Sequence, residues 1–398
     1  MKTLRRLFSV GMLLGGLGVT LSSTDAEAAE SNTSSLPNPI SRFDINPYAL
    51  IQSYAQANYA SVRWLALTDQ DDVKSAGFGL SNAIFGVTGQ GFERATYHLA
   101  INAACTGGCL ISQAWVDISM SNALRLRVGK FKTPAHWAVQ VKLGQSLFPR
   151  LPTSLMARVN LPFGLNAVTP TVALGFDTGA MVHGLVAQRL EYQLGVFNGE
   201  GGGVNTPNST LSDSNRIPGL LYAARLAYYP MGTMKPEETA SLEPSGPRML
   251  VALSGSYNVE ANAESSDDLR LGVEAAARYR RVFLASEAYL LRMNFVERQR
   301  GAASRTFLGA YGQGGVDLGR GVEPIVRLEL LDRNSLSERG VLVLPSVGMN
   351  YYLAGQNLKV SVVYQSLIRA RYRTTLEAHQ DDNAIYDHSG YVQLQLAL

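Results

Sequence analysis

From about residue 47 onward, apolar and polar positions alternate with a period of two. In "DLRLGVEAAARYR", Leu269, Leu271, Val273, Ala275, Ala277 and Tyr279 share one side, and Arg270, Glu274, Arg278 and Arg280 share the other. In "VRLEL", Val326, Leu328 and Leu330 oppose Arg327 and Glu329; in "YVQLQLAL", Val392, Leu394, Leu396 and Leu398 oppose Gln393 and Gln395. A period of two puts successive side chains on opposite faces of a strand. Sixteen strands are expected, near 49–66, 77–89, 93–104, 110–119, 123–132, 170–188, 190–198, 219–229, 249–258, 268–280, 281–293, 304–317, 322–332, 341–353, 358–370 and 386–398. No apolar run after residue 28 approaches the roughly 20 residues that a spanning helix needs.

The alternation alone fits either a soluble sheet or a barrel with lipid outside and water inside. The links decide between them. Long or polar links such as "NGEGGGVNTPNSTLSDSNRIPG" and "RYRTTLEAHQDDNA" alternate with tight ones such as "SMSNA", "QRLEY" and "DLGRG". Loops on one side and turns on the other describe an all-β, transmembrane antiparallel barrel of about 16 strands, with both termini on the turn side. There is no internal repeat of 40–50 residues such as propeller blades show. A charge on the lipid face at mid-bilayer costs about 2–4 kcal/mol, so the register is strongly enforced. Tyr228, Tyr279 and Tyr351 fall on the apolar parity near the same end of three strands, as an interfacial aromatic belt would. The link "PMGTMKPEETASLEPSGPR" is too long for a simple turn.

Residues 1–28 read as an export signal. Lys2, Arg5 and Arg6 precede a short apolar stretch, and "AEA" offers a small-x-small cleavage site at Ala26–Ala28. Residues 29–46 are a polar lead-in, and 47–398 the barrel, expected in the outer membrane of a Gram-negative bacterium. The net charge of +3 argues against a nucleic-acid binder. Cys105 and Cys109, in "CTGGC", are expected to form a disulfide clip, since two thiols without further ligands make no metal site. No metal and no cofactor are expected.

The run "AWVDISMSNALRLRVGKFKTP", with "LEYQLGVFNGEG" and "LAYYPMG", resembles the phosphate-selective porin O and P family over most of residues 47–398. The resemblance implies a sixteen-stranded homotrimeric porin delivered by the barrel-insertion machinery, and it accounts for the long link after the eighth strand. It also implies that the segment after the fifth strand folds into the lumen as a constriction loop. This sequence departs from the family in two places. "FGLSNAIFGVTG" carries Ser81 and Asn82 where the family has an arginine pair, and the chain ends in Leu398 rather than an aromatic residue.

Between Thr133 and Phe176 there is no Asp or Glu, while His136, Lys142, Arg150 and Arg158 lie within and Lys130 and Lys132 at the base. Fixed positive charge in a narrow channel raises local anion concentration. Arg125, Arg127, Arg225, Arg270, Arg278 and Arg327 share the lumen parity and could extend the field as a ladder. The expected activity is passive passage of small hydrophilic solutes, with small anions such as phosphate preferred. A second reading has these cations pairing with Glu274, Glu287 and Glu329, tying loops to the wall of a non-selective pore. A third is an enzyme. The five histidines (His98, His136, His183, His379 and His388) are scattered, and none lies in a G-x-S-x-G or H-E-x-x-H context, so no catalytic residue is assigned.

Overall fold

Each alternating segment pairs with its sequence neighbour, and the last pairs with the first. The computed structural model describes residues 44–60, 73–92, 94–104, 111–156, 175–199, 220–240, 246–259, 266–295, 304–332, 341–369 and 388–398. The export signal, most of the lead-in, Cys105, Cys109 and Arg158 lie outside them.

The strands are β1 (Asn46–Ala60), β2 (Val73–Gly91), β3 (Ala95–Asn102), β4 (Ile111–Ser121), β5 (Leu124–Lys132), β6 (Phe176–Val186), β7 (Leu190–Phe197) and β8 (Leu221–Tyr228). They continue as β9 (Arg248–Asn258), β10 (Ser266–Tyr279), β11 (Val282–Phe295), β12 (Ser304–Val316), β13 (Val322–Asp332), β14 (Leu342–Tyr352), β15 (Leu358–Ser366), β16 (Ile368–Arg369) and β17 (His388–Ala397). β15 and β16 both pair with β14 and are one wall strand interrupted at Leu367, so the wall has sixteen strands. All ladders are antiparallel. β1 closes the ring against β17, from Leu50↔Ala397 to Tyr59↔His388. Reciprocal bonds between Ala49 and Leu398, 3.1 and 2.9 Å, extend that seam. The start of β1 and the end of β17 therefore meet at the end carrying the tight turns.

The parity holds residue by residue. On β13, Val326 and Leu328 are 58% and 51% exposed, while Arg327 and Glu329 are 6% and 0% exposed. Tyr228, Tyr279 and Tyr351 all project outward at the turn end. Arg280, grouped with the inward row by parity, stands instead in the β10–β11 turn. Its φ of 50° breaks the strand alternation there, and its exposed guanidinium lies 5.1 Å over the Tyr279 ring. A bulge between Gln52 and Ser53 takes up one extra residue on β2, Ser81, whose Oγ donates to the Gln52 carbonyl at 3.0 Å. This leaves Asn82 inward, donating to Gln52 Oε1 at 2.7 Å.

Beyond β5 the chain forms a short helix, α1 (Trp137–Gln140), a 3₁₀ turn over Leu143–Gln145, and a second short helix, α2 (Thr153–Met156). The link after β8 does not stay at the turn end. Met234 and Ala240 pack with Trp137, Val141, Leu147 and Phe148 against buried side chains of β9–β11 and β13. Placing arginine at Val326, mid-strand on the outward face, is expected to lower the unfolding free energy in lipid vesicles by about 2–4 kcal/mol. Denaturant titration of the refolded protein measures it.

Candidate functional site

The segment beyond β5 starts at a built departure point. Gly129 adopts φ +126°, and a Cβ there would stand 2.2 Å from the Ala114 carbonyl oxygen, so only glycine fits. Phe131 then turns edge-on to Phe197, at 5.3 Å between ring centres. Pro134 cannot donate to a ladder, and pairing has stopped at Lys132. The Thr133 N–H and hydroxyl both donate to the Gly175 carbonyl, at 2.6 and 3.0 Å, pinning the outgoing chain to the returning one. Lys132 Nζ donates to the carbonyl of Val141 at 2.5 Å.

A segment with so little helix cannot satisfy its own backbone, and the buried groups need partners. Carboxylates take the N–H groups. Glu287 on β11 accepts from the Ala138 N–H at 2.7 Å, from His136 at 3.2 Å and from the Tyr311 hydroxyl. Glu329 on β13 accepts from the Ser154 N–H and hydroxyl, at 2.9 and 3.1 Å. Glu238, in the link after β8, accepts from the Leu147 N–H at 3.1 Å, and its own N–H donates to the Gln145 carbonyl at 2.8 Å. Glu323 on β13 receives the Ala240 N–H at 2.6 Å, fixing that link in turn.

Amides and cations serve the carbonyls. Gln395 reaches Gly144 at 2.8 Å, Lys359 reaches Ser146 at 2.9 Å, Asn350 reaches Leu147 at 2.9 Å and Arg327 reaches Arg150 at 3.0 Å. These partners stand on the inward rows of β13, β14, β15 and β17. Phe148 lies 3.9 Å beneath the Arg327 guanidinium.

Of the cations singled out in the sequence, Lys142 and Arg150 are exposed. Arg150 rests 4.1 Å over the Tyr391 ring and 5.5 Å over Tyr54, and its Nη2 donates to Gln56. His136 is buried against Glu287. Lys130 is buried too. The wall arginines divide into two groups. Arg225 is enclosed and bound to Glu274 at 2.8–3.2 Å. Arg270 is buried on β10. Arg278 donates to the carbonyls of Thr239 and Glu237, at 3.1 and 2.6 Å. Arg327 is buried with Gln313, at 2.9 Å, and Glu329, at 3.6 Å. These four are struts within packed structure. Arg125 and Arg127 are open to the lumen and share Asp117.

Sequence reasoning passed over Glu238, Glu323 and Asp117. The inward parity of "AWVDIS" and the length of the link after β8 were the available signals.

A closed wall, an internally bonded segment and few open cations describe a channel. The sequence profile of the phosphate-selective porin O and P family matches residues 52–397. The chain belongs to that family. No curated protein sequence matches this porin. Among solved structures it is similar to an anion-selective porin from Comamonas acidovorans, with TM-score 0.61 and 11% identity over 89% of this chain and 100% of that one. It is also similar to the trimer form of OmpT from Vibrio cholerae, with TM-score 0.57 and 8% identity over 90% and 100% of the two chains. A third is the outer-membrane channel DcaP of Acinetobacter baumannii, with TM-score 0.54 and 10% identity over 90% and 98%. At such identities the structural likeness speaks for the fold. The porin's place is the outer membrane.

Two outcomes follow from the carboxylate anchors of this porin. Glu287→Ala leaves the Ala138 N–H without its acceptor and should cost about 1–3 kcal/mol, read from denaturant midpoints. Glu238 lies outside the strands, and burial raises its carboxyl pKa above the ordinary value. The folded state then binds this proton more tightly than the unfolded chain, so ionisation costs stability as pH rises above the ordinary value and toward the raised one. Glu238→Gln should therefore gain on wild type in the same titration as pH rises above the ordinary carboxylate range.

Proposed function

We propose that this porin passes small hydrophilic solutes through an eyelet bordered by residues 133–156 and prefers small anions, phosphate among them. The observation that carries the reading is the acid-free segment with its exposed Lys142 and Arg150. The carboxylates that anchor it are buried and engaged by peptide N–H groups, His136 and Arg327, while Lys142 and Arg150 stand exposed. In a narrow channel such charges concentrate anions, and conduction requires each site to be weak enough for the ion to leave. The family description, phosphate-selective, and the anion-selective Comamonas porin point the same way. The trimer form of OmpT supports a homotrimer. Export by a leader cleaved near Ala28, a Cys105–Cys109 clip, insertion-machinery delivery and a channel rather than an enzymatic role complete the reading.

A specific observation favours a second reading, a general pore without selectivity. Ser81 and Asn82 replace the family's arginine pair, and Asn82 joins Gln52 and Asn102 in an uncharged amide cluster on the inner wall. Reversal potentials of the refolded protein in planar bilayers under a potassium chloride gradient separate the two. Lys142→Glu and Arg150→Glu are each expected to lower the chloride-to-potassium permeability ratio by about two-fold or more. Wild-type selectivity in both variants would leave the general pore as the better account.

A further inference from the structure

The tight turns differ in charge. Those between β4 and β5 and between β14 and β15 carry no charged side chain. The two that follow β10 and β12 hold Arg280, Arg281 and Arg320, all exposed. Their one carboxylate, Asp317, accepts the Gly319 N–H at 2.7 Å through Oδ1. The two turns are also tied together. The Asp317 N–H donates to the Arg281 carbonyl at 2.9 Å, and Arg281 Nη1 stands 3.9 Å from where a Cβ on Gly319 would lie.

Arginine stands there against the preference of the backbone. Arg280 and Arg320 adopt φ of 50° and 56°. Hairpin turns fill such positions with Gly, Asn or Asp, because a Cβ at positive φ crowds the backbone and only short polar side chains compensate locally. Turn chemistry therefore does not call for arginine at either position, and the reason for it lies outside the turns.

The ground beside these guanidiniums is apolar. Tyr279, Val282, Val316, Leu318 and Tyr351 are all exposed. The registers Tyr279↔Val282, Val282↔Val316 and Val322↔Tyr351 continue the outward row across β10–β14. Arg280 rests 5.1 Å over the Tyr279 ring. The cations thus stand at the edge of the hydrocarbon-facing band, the level at which phospholipid phosphates lie. Tight turns of such barrels are periplasmic, so the leaflet is the periplasmic one.

We propose that Arg280, Arg281 and Arg320 form a binding site for the phosphodiester headgroup of an anionic phospholipid in the periplasmic leaflet, with the acyl chains against Tyr279, Val282 and Val316. Guanidinium forks match phosphate oxygens in geometry as well as charge. Three cations beside one carboxylate that is engaged within its own turn favour an anionic lipid over a zwitterionic one. The site lies outside the lumen and does not depend on which solute the pore passes.

The test is lipid retention by the refolded porin, read by native mass spectrometry from micelles doped equally with phosphatidylglycerol and phosphatidylcholine. Wild type should retain phosphatidylglycerol in preference. The triple variant Arg280→Asn, Arg281→Gln, Arg320→Asn should lower that preference by about five-fold or more. Asparagine suits positive φ, and heat-modifiable gel mobility checks folding. Should the triple variant not fold, Arg281→Gln alone is expected to lower the preference by about two-fold. Arg94→Gln, on the β2–β3 turn next to Glu93, should leave it unchanged. Equal retention of the two lipids by wild type would overturn the site and leave the basic turns to a soluble acidic partner. A wild-type preference in the arginine variants, or an equal loss in Arg94→Gln, would overturn it as well.

Discussion

The seam between β1 and β17 is the constraint on which everything else depends. Hydrocarbon offers a backbone N–H or C=O no partner, so a spanning sheet must end by pairing with itself. Ten register pairs from Leu50↔Ala397 to Tyr59↔His388, with the Ala49–Leu398 bonds beyond them, remove the last free edge. Closure also creates an inside. Once there is one, the period-two alternation acquires opposite meanings on its two rows: Val326 and Leu328 face out, Arg327 and Glu329 face in. A one-residue slip at the seam would send Gln395 and Gln393 outward and Leu396 and Leu394 inward, at a cost repeated along the whole strand.

An enclosed polar interior then poses a second problem, because the segment beyond β5 carries buried peptide groups with little regular structure to satisfy them. The solution sorts by chemistry. Glu238, Glu287 and Glu329 accept its N–H groups, while Gln395, Asn350, Lys359 and Arg327 donate to its carbonyls. Hydrogen bonds to charged groups contribute about 1.5–3 kcal/mol each, roughly twice the neutral kind. This accounts for the absence of acids over the described residues 133–156. Acids in the segment would stand opposite the acids that anchor it, so negative charge belongs to the wall and to the link after β8, and the open cations belong to the segment.

How much of this was legible follows from what a local pattern can encode. Alternation gives the face of each residue, which is why Leu124 and Val128 face out, Arg125 and Arg127 face in, and the strand expected over 322–332 matches β13 at both ends. It does not give the neighbour across the lumen. His136 meets Glu287 across 151 residues of sequence, and Ser154 meets Glu329 across 175. Such pairings are fixed by the ring and by the path of the chain inside it. For the same reason the row of Arg225, Arg270, Arg278 and Arg327 read as a ladder of equivalent cations, although folding encloses all four. The inward course of 229–240 left only its length as a trace.

Counting cations therefore overstates the field in the pore. A guanidinium enclosed among carboxylates, as Arg225 is between Glu274 and Glu191, is inaccessible to an ion. Of the cations in the segment, Lys142 and Arg150 remain exposed, while Arg125 and Arg127 are partly exposed and share Asp117. On the β1–β3 wall, Asn82 with Gln52 and Asn102 contributes hydrogen bonds without charge. The stretch Leu124–Lys132 both builds the wall and launches the segment that carries Lys142 and Arg150.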